Sequence, residues 1–287
     1  MTLTAPDLRY RRDSAAVLDT GATVYHEHWP VETSGPTLVF VNNFYVVGPM
    51  WRTYTERIRE AYGCVFYDLE NQGGSSANPG PTIAAHAQTL KALVTDLGLG
   101  EIILVGTSSS SLIVREYARR FTDDVRAVVL VGPSTTPSNH PVRRATERAL
   151  VNSLTNGGTE ALWDHLYSMA FSAAAMREMG APGYLGLRAA FTAIHRRDPM
   201  LANMVAAARE KDDFAVLAEL GIPVALVLGS LDTLWPQDQV DEAREVLADV
   251  PGLQIYELTG AGHLPYMEKP EEFQDAVLAF LAQEEQR

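Results

Sequence analysis

The sequence predicts an α/β fold in which a mostly parallel central sheet is flanked by helices on both faces. Short apolar, β-branched runs recur along the chain, and amphipathic helical patterns separate most of them. Such runs are typical of strands that are buried on both faces. The run at 102–105 leads into a helical pattern almost without a loop, so a sharp turn must connect the two.

The elements follow in order along the chain. After about 20 polar residues, which we expect to be loose or hairpin-like, the predicted strands are 22–29, 37–41, 64–67, 102–105, 125–131, 223–228 and 253–258. The predicted helices are 50–62, 82–99, one that begins near Leu112, 236–248 and 270–282. Pro270 and the two acids after it suit a helix start, because proline fits the first turn and acids complement the dipole.

The chain changes character between the strands at 125–131 and 223–228. That stretch has helical patterns but no strand run, with loops expected at Gly157-Gly158 and Pro182-Gly183. We therefore predict a core formed by residues 1–134 and 216–287, with residues 135–215 inserted as a helical cap over one end of the sheet. Methionines and aromatic residues in the insertion suit packing and an apolar pocket, whereas His140, His165 and His195 are expected to be surface or packing residues.

Composition limits the partners and the location. The 287 residues carry a formal net charge of −13, which argues against nucleic acid and anionic membranes as partners. Cys64, the single cysteine, excludes an intrachain disulfide and fits a reducing compartment. With neither a signal peptide nor an apolar run long enough to span a membrane, the chain is expected to be a soluble cytoplasmic protein, monomeric or homodimeric.

We expect neither a metal nor a cofactor. The glycine-rich loop at 68–81 has neither of the phosphate-binding patterns that open a helix, which disfavours a nucleotide site. His26 and His28 share one face of a predicted strand, but no third ligand lies at a supporting spacing. An exposed edge strand is the favoured interpretation of that segment.

The turn after residue 105 reads Gly-Thr-Ser-Ser-Ser over 106–110. Gly106 and Ser110 supply the small side chains that a tight strand-to-helix crossing needs, which leaves Ser108 at the tip as a candidate nucleophile. The N–H of Ser109 would then point to a developing oxyanion, near the helix N-terminus. Taken alone, the pattern leaves a second interpretation equally open, in which these serines only cap a helix.

Two further polar residues follow buried strands. Asp232 comes after the strand at 223–228 and His263 after the strand at 253–258, and ligands gather at the carboxyl ends of parallel strands. The order of Ser108, then the acid, then His263 is the order that this architecture uses. A serine hydroxyl needs a histidine to accept its proton, and the histidine needs an acid to hold its tautomer.

Several short motifs together identify a family. They are Trp51, the 67–68 and 74–76 segments of the glycine-rich loop, the turn at 106–110, Gly229 with Asp232, and the closing stretches 260–265 and 268–271. In these motifs the chain resembles a capped α/β-hydrolase of the esterase and thioesterase kind, nearly from end to end. The resemblance implies a catalytic triad of Ser108, His263 and Asp232, and an oxyanion hole formed by the N–H groups of Ser109 and Phe44.

The sequence departs from this family in the loop after residue 41. Asn42 and Asn43 stand where the family usually has His-Gly, although asparagine tolerates the left-handed backbone region better than most residues. We predict that Asn42, Asn43, Tyr45 and Trp235 contact the substrate, with an amide or the Tyr45 hydroxyl as a further hydrogen-bond donor.

The expected activity is hydrolysis of an ester or thioester of a hydrophobic small molecule through an acyl-enzyme, for example in polyketide-like natural-product biosynthesis. The alternative is a lyase, cyclase or acyltransferase that uses the same three residues, because a fold alone does not define a reaction. A non-enzymatic receptor is disfavoured because all three triad residues are present.

Overall fold

The computed structural model describes residues 6–32, 35–134, 140–210, 214–235 and 237–286. An eight-stranded sheet runs through it in the order β1-β2-β4-β3-β5-β6-β7-β8. The strands are β1 (Ala15–Val17), β2 (Thr23–Trp29), β3 (Thr37–Val41), β4 (Cys64–Tyr67), β5 (Ile102–Thr107), β6 (Val125–Val131), β7 (Val224–Gly229) and β8 (Gln254–Leu258). The β1–β2 and β2–β4 pairs are antiparallel and the others are parallel, which confirms the predicted α/β class.

Helices cover both faces of the sheet and form two apolar cores. The helices are α1 (Trp51–Tyr54), α2 (Glu56–Ala61), α3 (Ile83–Asp96), α4 (Ser111–Arg120), α5 (Pro141–Ala170), α6 (Ala173–Ile194), α7 (Arg197–Arg209), α8 (Val216–Leu220), α9 (Gln237–Val246), α10 (Pro265–Glu268) and α11 (Pro270–Glu284). One core joins the sheet to α3, α4 and α8, and we call it the α4 core. The other joins the sheet to α1, α2 and α11, and we call it the α11 core. Alternate residues of β3 to β7 supply the two cores, as the strand period requires.

Two predicted elements differ in detail. The helix predicted over 50–62 is a 3-10 turn followed by α1 and α2, which are separated at Thr55, where the hydroxyl donates to the Trp51 carbonyl at 2.6 Å. The segment predicted as an exposed edge strand is β2, and it lies inside the sheet because β1 pairs with its outer side. The sequence pattern of β1 was too short to identify it as a strand.

Helices α5, α6 and α7 lie between β6 and β7, and we call them the inserted helices. The loop predicted at Gly157-Gly158 is a kink at Gly158, whose φ is 72°. The loop predicted at Pro182-Gly183 is helical, and the kink in that helix lies at Gly180, whose φ is 56°. The ends of the predicted insertion, 135–139 and 211–213, lie outside the described residues. Among the residues that the structure describes, no helix combines the length and hydropathy of a membrane-spanning segment.

A buried amide network joins the inserted helices to the core. Asn203 of α7 donates through Nδ2 to the Glu70 carbonyl at 3.0 Å. Its Oδ1 accepts from Asn71 Nδ2 at 3.1 Å and lies 3.2 Å from Nε2 of His86 on α3. Because these groups are buried, each lost bond leaves a desolvated polar atom. The network therefore fixes α7 against the core.

The turn that carries Ser108 is held by the two small residues on either side. Ser108 has a φ of 52°, in the left-handed region. A Cβ on Gly106 would lie 2.6 Å from Val114 Cγ2, so strand and helix cross too closely for a larger residue. The Ser110 Oγ accepts from the Thr107 N–H at 2.7 Å and lies 2.7 Å from the Val41 carbonyl oxygen. Ser110 thus joins β3 to the turn at the end of β5.

We expect acid to destabilise the protein partly through His86. Burial lowers the pKa of His86 from 6.5 to about 4, so the unfolded chain binds this proton first as the pH falls. The loss of stability begins near pH 6.5 and amounts to about 2 kcal/mol at pH 5. Urea unfolding at pH 7 and pH 5 should show that His86→Gln removes this part of the acid loss. Equal pH dependence in both proteins would contradict the prediction. The difference between their free energies of unfolding at pH 7 measures any packing damage that the substitution causes by itself.

We expect Ser110→Ala to lower the free energy of unfolding by about 1–3 kcal/mol, because the Thr107 N–H would remain buried without its acceptor. Urea unfolding measures this loss. The control is Thr95→Ala, at an exposed hydroxyl that only bonds its own helix, which should change stability by less than about 0.5 kcal/mol. Equal effects of the two substitutions would show that Ser110 does not hold the turn.

Candidate active site

Ser108, His263 and Asp232 meet at the carboxyl ends of β5, β8 and β7. Ser108 Oγ lies 2.9 Å from His263 Nε2, and Asp232 Oδ2 lies 2.8 Å from His263 Nδ1. The side chains of His263 and Asp232 are only 4% and 5% exposed. With Nδ1–H donated to the carboxylate, the Nε2 lone pair faces the serine hydroxyl. This geometry lets the imidazole take up the hydroxyl proton.

Backbone hydrogen bonds hold the acid in place. Asp232 Oδ1 accepts from the N–H groups of Leu234 at 2.8 Å and Trp235 at 3.2 Å, which leaves Oδ2 for the histidine. A carboxylate with these fixed donors keeps one orientation. The loop after β7 therefore positions the acid as well as supplying it.

The loop that follows β8 and carries His263, residues 259–263, packs directly on two glycines, and we call it the histidine loop. A Cβ on Gly229 would lie 1.9 Å from the Gly262 carbonyl oxygen, and one on Gly132, whose φ is 51°, would lie 3.2 Å from the His263 ring. The Leu231 N–H also donates to the Ala261 carbonyl at 2.8 Å. A side chain at Gly229 would overlap the backbone, and one at Gly132 would be strained and would crowd the histidine, which explains why glycines surround the predicted acid and histidine.

Glu268 of α10 ties the histidine loop to the inserted helices. Its Oε1 accepts from the N–H groups of Gly262 at 3.1 Å and Ser172 at 3.0 Å, and its Oε2 accepts from the Ser172 hydroxyl at 2.6 Å. The His263 N–H donates to the Ala170 carbonyl at 2.9 Å. The start of α6 and the histidine loop thus form one hydrogen-bonded unit. Glu268 belongs to one of the motifs that identified the family, but the sequence did not predict this structural role.

The loop after β3 lies beside the turn at Ser108. Asn43 holds it there, since Nδ2 donates to Thr107 Oγ1 at 3.3 Å and Oδ1 accepts from the Tyr45 N–H at 2.8 Å. Phe44 and Ser109 line the same cavity as Ser108. The Phe44 N–H donates to no residue that the structure describes, and the first N–H groups of a helix, such as that of Ser109, lack partners within the helix.

Asn42 corrects one prediction. We expected it to contact the substrate, but it has no exposed surface and does not line the cavity. Its Nδ2 donates to the Tyr67 carbonyl at 2.7 Å, and its Oδ1 accepts from Trp51 Nε1 at 2.8 Å. Its side chain points into the α11 side of the fold, where Trp51 lies. Asn42 is a structural residue.

One cavity opens above Ser108 and His263. Asn43, Phe44, Tyr45 and Trp235 line it. The apolar lining divides between the two cores. Leu112, Leu150, Phe191, Met204 and Ala207 belong to the α4 core, whereas Val46, Met50, Phe171 and Met267 belong to the α11 core. The nucleophile therefore has apolar surface on both sides.

The inserted helices add lining residues that the sequence analysis missed. Arg143 and Glu147 of α5 line the cavity, and so does His195. His195 was expected to be a surface or packing residue; it is buried, and its Nε2 lies 3.2 Å from the Tyr45 carbonyl oxygen. Burial lowers the pKa of His195 to about 4, so its ring is neutral at pH 7. Arg143 lies at helical spacing from Leu150 and Leu154, a signal that it faces inwards.

The N-terminal segment is also part of the cavity wall. Pro6 and Leu8 line it, although this region was expected to be loose. The Asp7 N–H donates to Thr53 Oγ1 at 3.1 Å, and Arg52 bonds both the Asp7 carboxylate at 3.0 Å and the Arg9 carbonyl at 2.5 Å. These bonds hold the segment on α1. We call residues 6–9 the N-terminal strap.

No metal site is evident in the described part of the chain, where no three or more His, Cys, Asp or Glu side chains group together. His26 lies on β2 with Nδ1 at 3.4 Å from the Val24 carbonyl oxygen. Burial lowers the pKa of its neighbour His28. Both residues belong to an internal strand.

The chain is similar to known proteins over most of its length. Residues 38–276 match the model of the alpha/beta hydrolase family. The chain is 25% identical over 262 residues to pimeloyl-[acyl-carrier protein] methyl ester esterase of Vibrio vulnificus (strain CMCP6), covering 88% of this chain and 97% of that protein. It is 24% identical over 260 residues to sn-1-specific diacylglycerol lipase ABHD11 of Mus musculus, covering 86% and 81%.

A solved structure is similar over nearly the same length. The thermophilic esterase from Thermogutta terrifontis superposes with a TM-score of 0.81 at 21% identity, covering 94% of this chain and 98% of that one. The predicted α/β-hydrolase fold is thereby confirmed. Because the family model matches most of the sequence, this chain belongs to the alpha/beta hydrolase family and is a hydrolase.

Proposed function

We propose that this protein is a serine hydrolase that cleaves an ester or thioester of a hydrophobic small molecule through an acyl-enzyme on Ser108. The observation that carries the proposal is the unbroken hydrogen-bonded chain from Ser108 Oγ through His263 to Asp232, at the base of an apolar cavity. Helix capping alone would not require His263 and Asp232 to align behind the serine hydroxyl.

In this mechanism His263 Nε2 takes the proton of Ser108 as Oγ attacks the substrate carbonyl. Asp232 stabilises the imidazolium that forms. The N–H groups of Phe44 and Ser109 stabilise the oxyanion, and His263 then protonates the departing alcohol or thiol. Water, deprotonated by His263, next attacks the acyl-enzyme, and the collapse of this intermediate releases the acid and returns the proton to Ser108 Oγ.

The relatives favour a carboxylic ester over a thioester as the bond that is cleaved. One relative is named for a methyl ester and another for diacylglycerol, both of which are oxygen esters. The division of the cavity between two apolar sides suits a substrate with carbon chains on both sides of the ester. Natural-product biosynthesis is one process that uses such substrates, and we propose it as the setting of this activity.

The domain division also belongs to this proposal. We infer that residues 135–215 act as a cap over a core of residues 1–134 and 216–287. The inserted helices contribute Leu150, Leu166 and Phe191 to the wall above Ser108, and such a wall excludes water from the reacting atoms. The contacts of Glu268 with Ser172 support a cap whose second helix is held at the active site.

We expect a fluorophosphonate probe to label Ser108, and p-nitrophenyl esters of apolar acids to be hydrolysed. Ser108→Ala should not be labelled, and its kcat/KM for these esters should be lower by at least about 10³-fold, because no other group can form the acyl-enzyme. Peptide mass spectrometry locates the label. Ser168→Ala, at an exposed serine of α5, is the matched control and should keep both. Labelling without ester turnover would instead favour the lyase, cyclase or acyltransferase alternative, and no labelling would refute the triad.

We expect Leu8 of the N-terminal strap to limit the length of chain that the α11 side accepts. Leu8→Trp should lower the ratio of kcat/KM for the longest p-nitrophenyl ester to kcat/KM for the acetate by about 10-fold or more. Leu8→Ala should raise the same ratio. Val17→Trp, at an exposed residue of β1, is the control. An unchanged chain-length profile in both Leu8 variants would place the substrate elsewhere in the cavity.

A further inference from the structure

The cavity is mostly apolar, and one cluster of polar groups on its α4 side includes an ion pair. Arg143, Glu147 and Tyr45 all line it there, beside Leu150 and Ala207. Arg143 is only 1% exposed, and its Nε donates to Glu147 Oε1 at 2.8 Å. Its Nη2 donates to the Ala207 carbonyl at 3.3 Å, which ties α5 to α7. The catalytic steps above use none of these side chains.

Two hydrogen-bonding atoms of this cluster have no partner within the described chain. The Tyr45 hydroxyl makes no hydrogen bond there, although the ring is half-buried and borders the cavity. The same holds for Glu147 Oε2, since the ion pair uses Oε1, and the side chain is 26% exposed. Burial and the charge of Glu147 raise the pKa of Tyr45, so its hydroxyl stays protonated and can donate. One atom is a donor and the other an acceptor.

We propose that Tyr45 and Glu147 bind a hydroxyl group of the substrate, which accepts a hydrogen bond from Tyr45 and donates one to Glu147. This inference rests on the proposed ester hydrolysis and specifies its substrate as a hydroxylated ester. A hydroxyl group both donates and accepts, so it satisfies both free atoms at once. The Tyr45 and Glu147 side chains then act as specificity-determining groups beside the apolar surface.

Charged ligands fit the cluster less well. A carboxylate would meet the negative charge of Glu147 and could not donate to it. An ammonium group would add an unbalanced charge, because the buried Arg143 already neutralises Glu147. A plain alkyl chain would leave the donor and the acceptor desolvated without partners, which is unfavourable. A neutral hydroxyl avoids all three costs.

The test is a panel of p-nitrophenyl esters in matched pairs, each an alkanoate and its hydroxyalkanoate of equal chain length, with the hydroxyl at successive carbons. We expect one hydroxyl position to raise kcat/KM by about 30-fold or more over its alkanoate partner in the wild-type protein, because sites built for a hydroxyl discriminate strongly. In Tyr45→Phe that ratio should fall to about 3 or less. Glu147→Gln keeps the shape and an acceptor oxygen, and should lower the ratio less.

Matched controls separate recognition from damage. Tyr184→Phe and Glu160→Gln change the same residue types on the inserted helices, outside the cavity lining, and should keep the wild-type ratio. A wild-type ratio near 1 at every hydroxyl position, with alkanoates hydrolysed and Ser108 labelled, would overturn this inference and leave the proposed function standing. A selective ratio that survives both Tyr45→Phe and Glu147→Gln would also overturn it. Absence of label and of turnover would refute the proposed function, and this inference with it.

Discussion

The sharp turn at Ser108 is the constraint on which the rest of the site depends. A residue with a side chain in the left-handed region costs on the order of 1–3 kcal/mol, and it persists only where the surroundings hold it. Here Gly106 lets the helix cross the strand closely, while the Ser110 hydroxyl bonds the backbone on two strands. The same turn carries Thr107, whose hydroxyl accepts from Asn43. The loop that offers the Phe44 N–H is thus positioned by the element that presents the nucleophile.

The second half of the site depends on backbone contact. The loops after β7 and β8 touch at Gly229 and Gly262, so the acid and the histidine cannot move independently of each other. Glu268 extends this unit to Ser172 at the start of α6. Any movement of the inserted helices must leave that junction in place if His263 is to stay aligned. The amide of Asn203 imposes a similar restraint on α7. Only the parts of the inserted helices away from these two anchors can adjust to a ligand without disturbing the catalytic geometry.

The sequence predicted what local patterns determine. Buried strands and the polar residues that follow them are both visible in a short window, so the parallel sheet and the meeting of Ser108 with His263 were predictable. Asn42 was misassigned because its partners, Trp51 and Tyr67, are brought to it only by the packed sheet. The N-terminal strap was missed because its order comes from Arg52 on another element rather than from its own residues. The wall of the cavity is a tertiary feature, and the sequence pattern of each helix describes only its own face.

The polar cluster in that wall is hard to explain by stability alone. An ion pair whose arginine is buried gains little over well-packed apolar residues of similar volume, because desolvation offsets the attraction between the charges. Arg143 does tie α5 to α7 through the Ala207 carbonyl, but an apolar contact between the helices would serve the same purpose. The pair differs from such a contact in what it presents to the cavity, where Glu147 keeps one oxygen available next to a protonated tyrosine. Glu147 is a charged residue beside a mostly apolar cavity, with Arg143 as its buried partner and one oxygen free to accept a hydrogen bond. The chemistry of the ligand explains this arrangement better than the packing of the fold does.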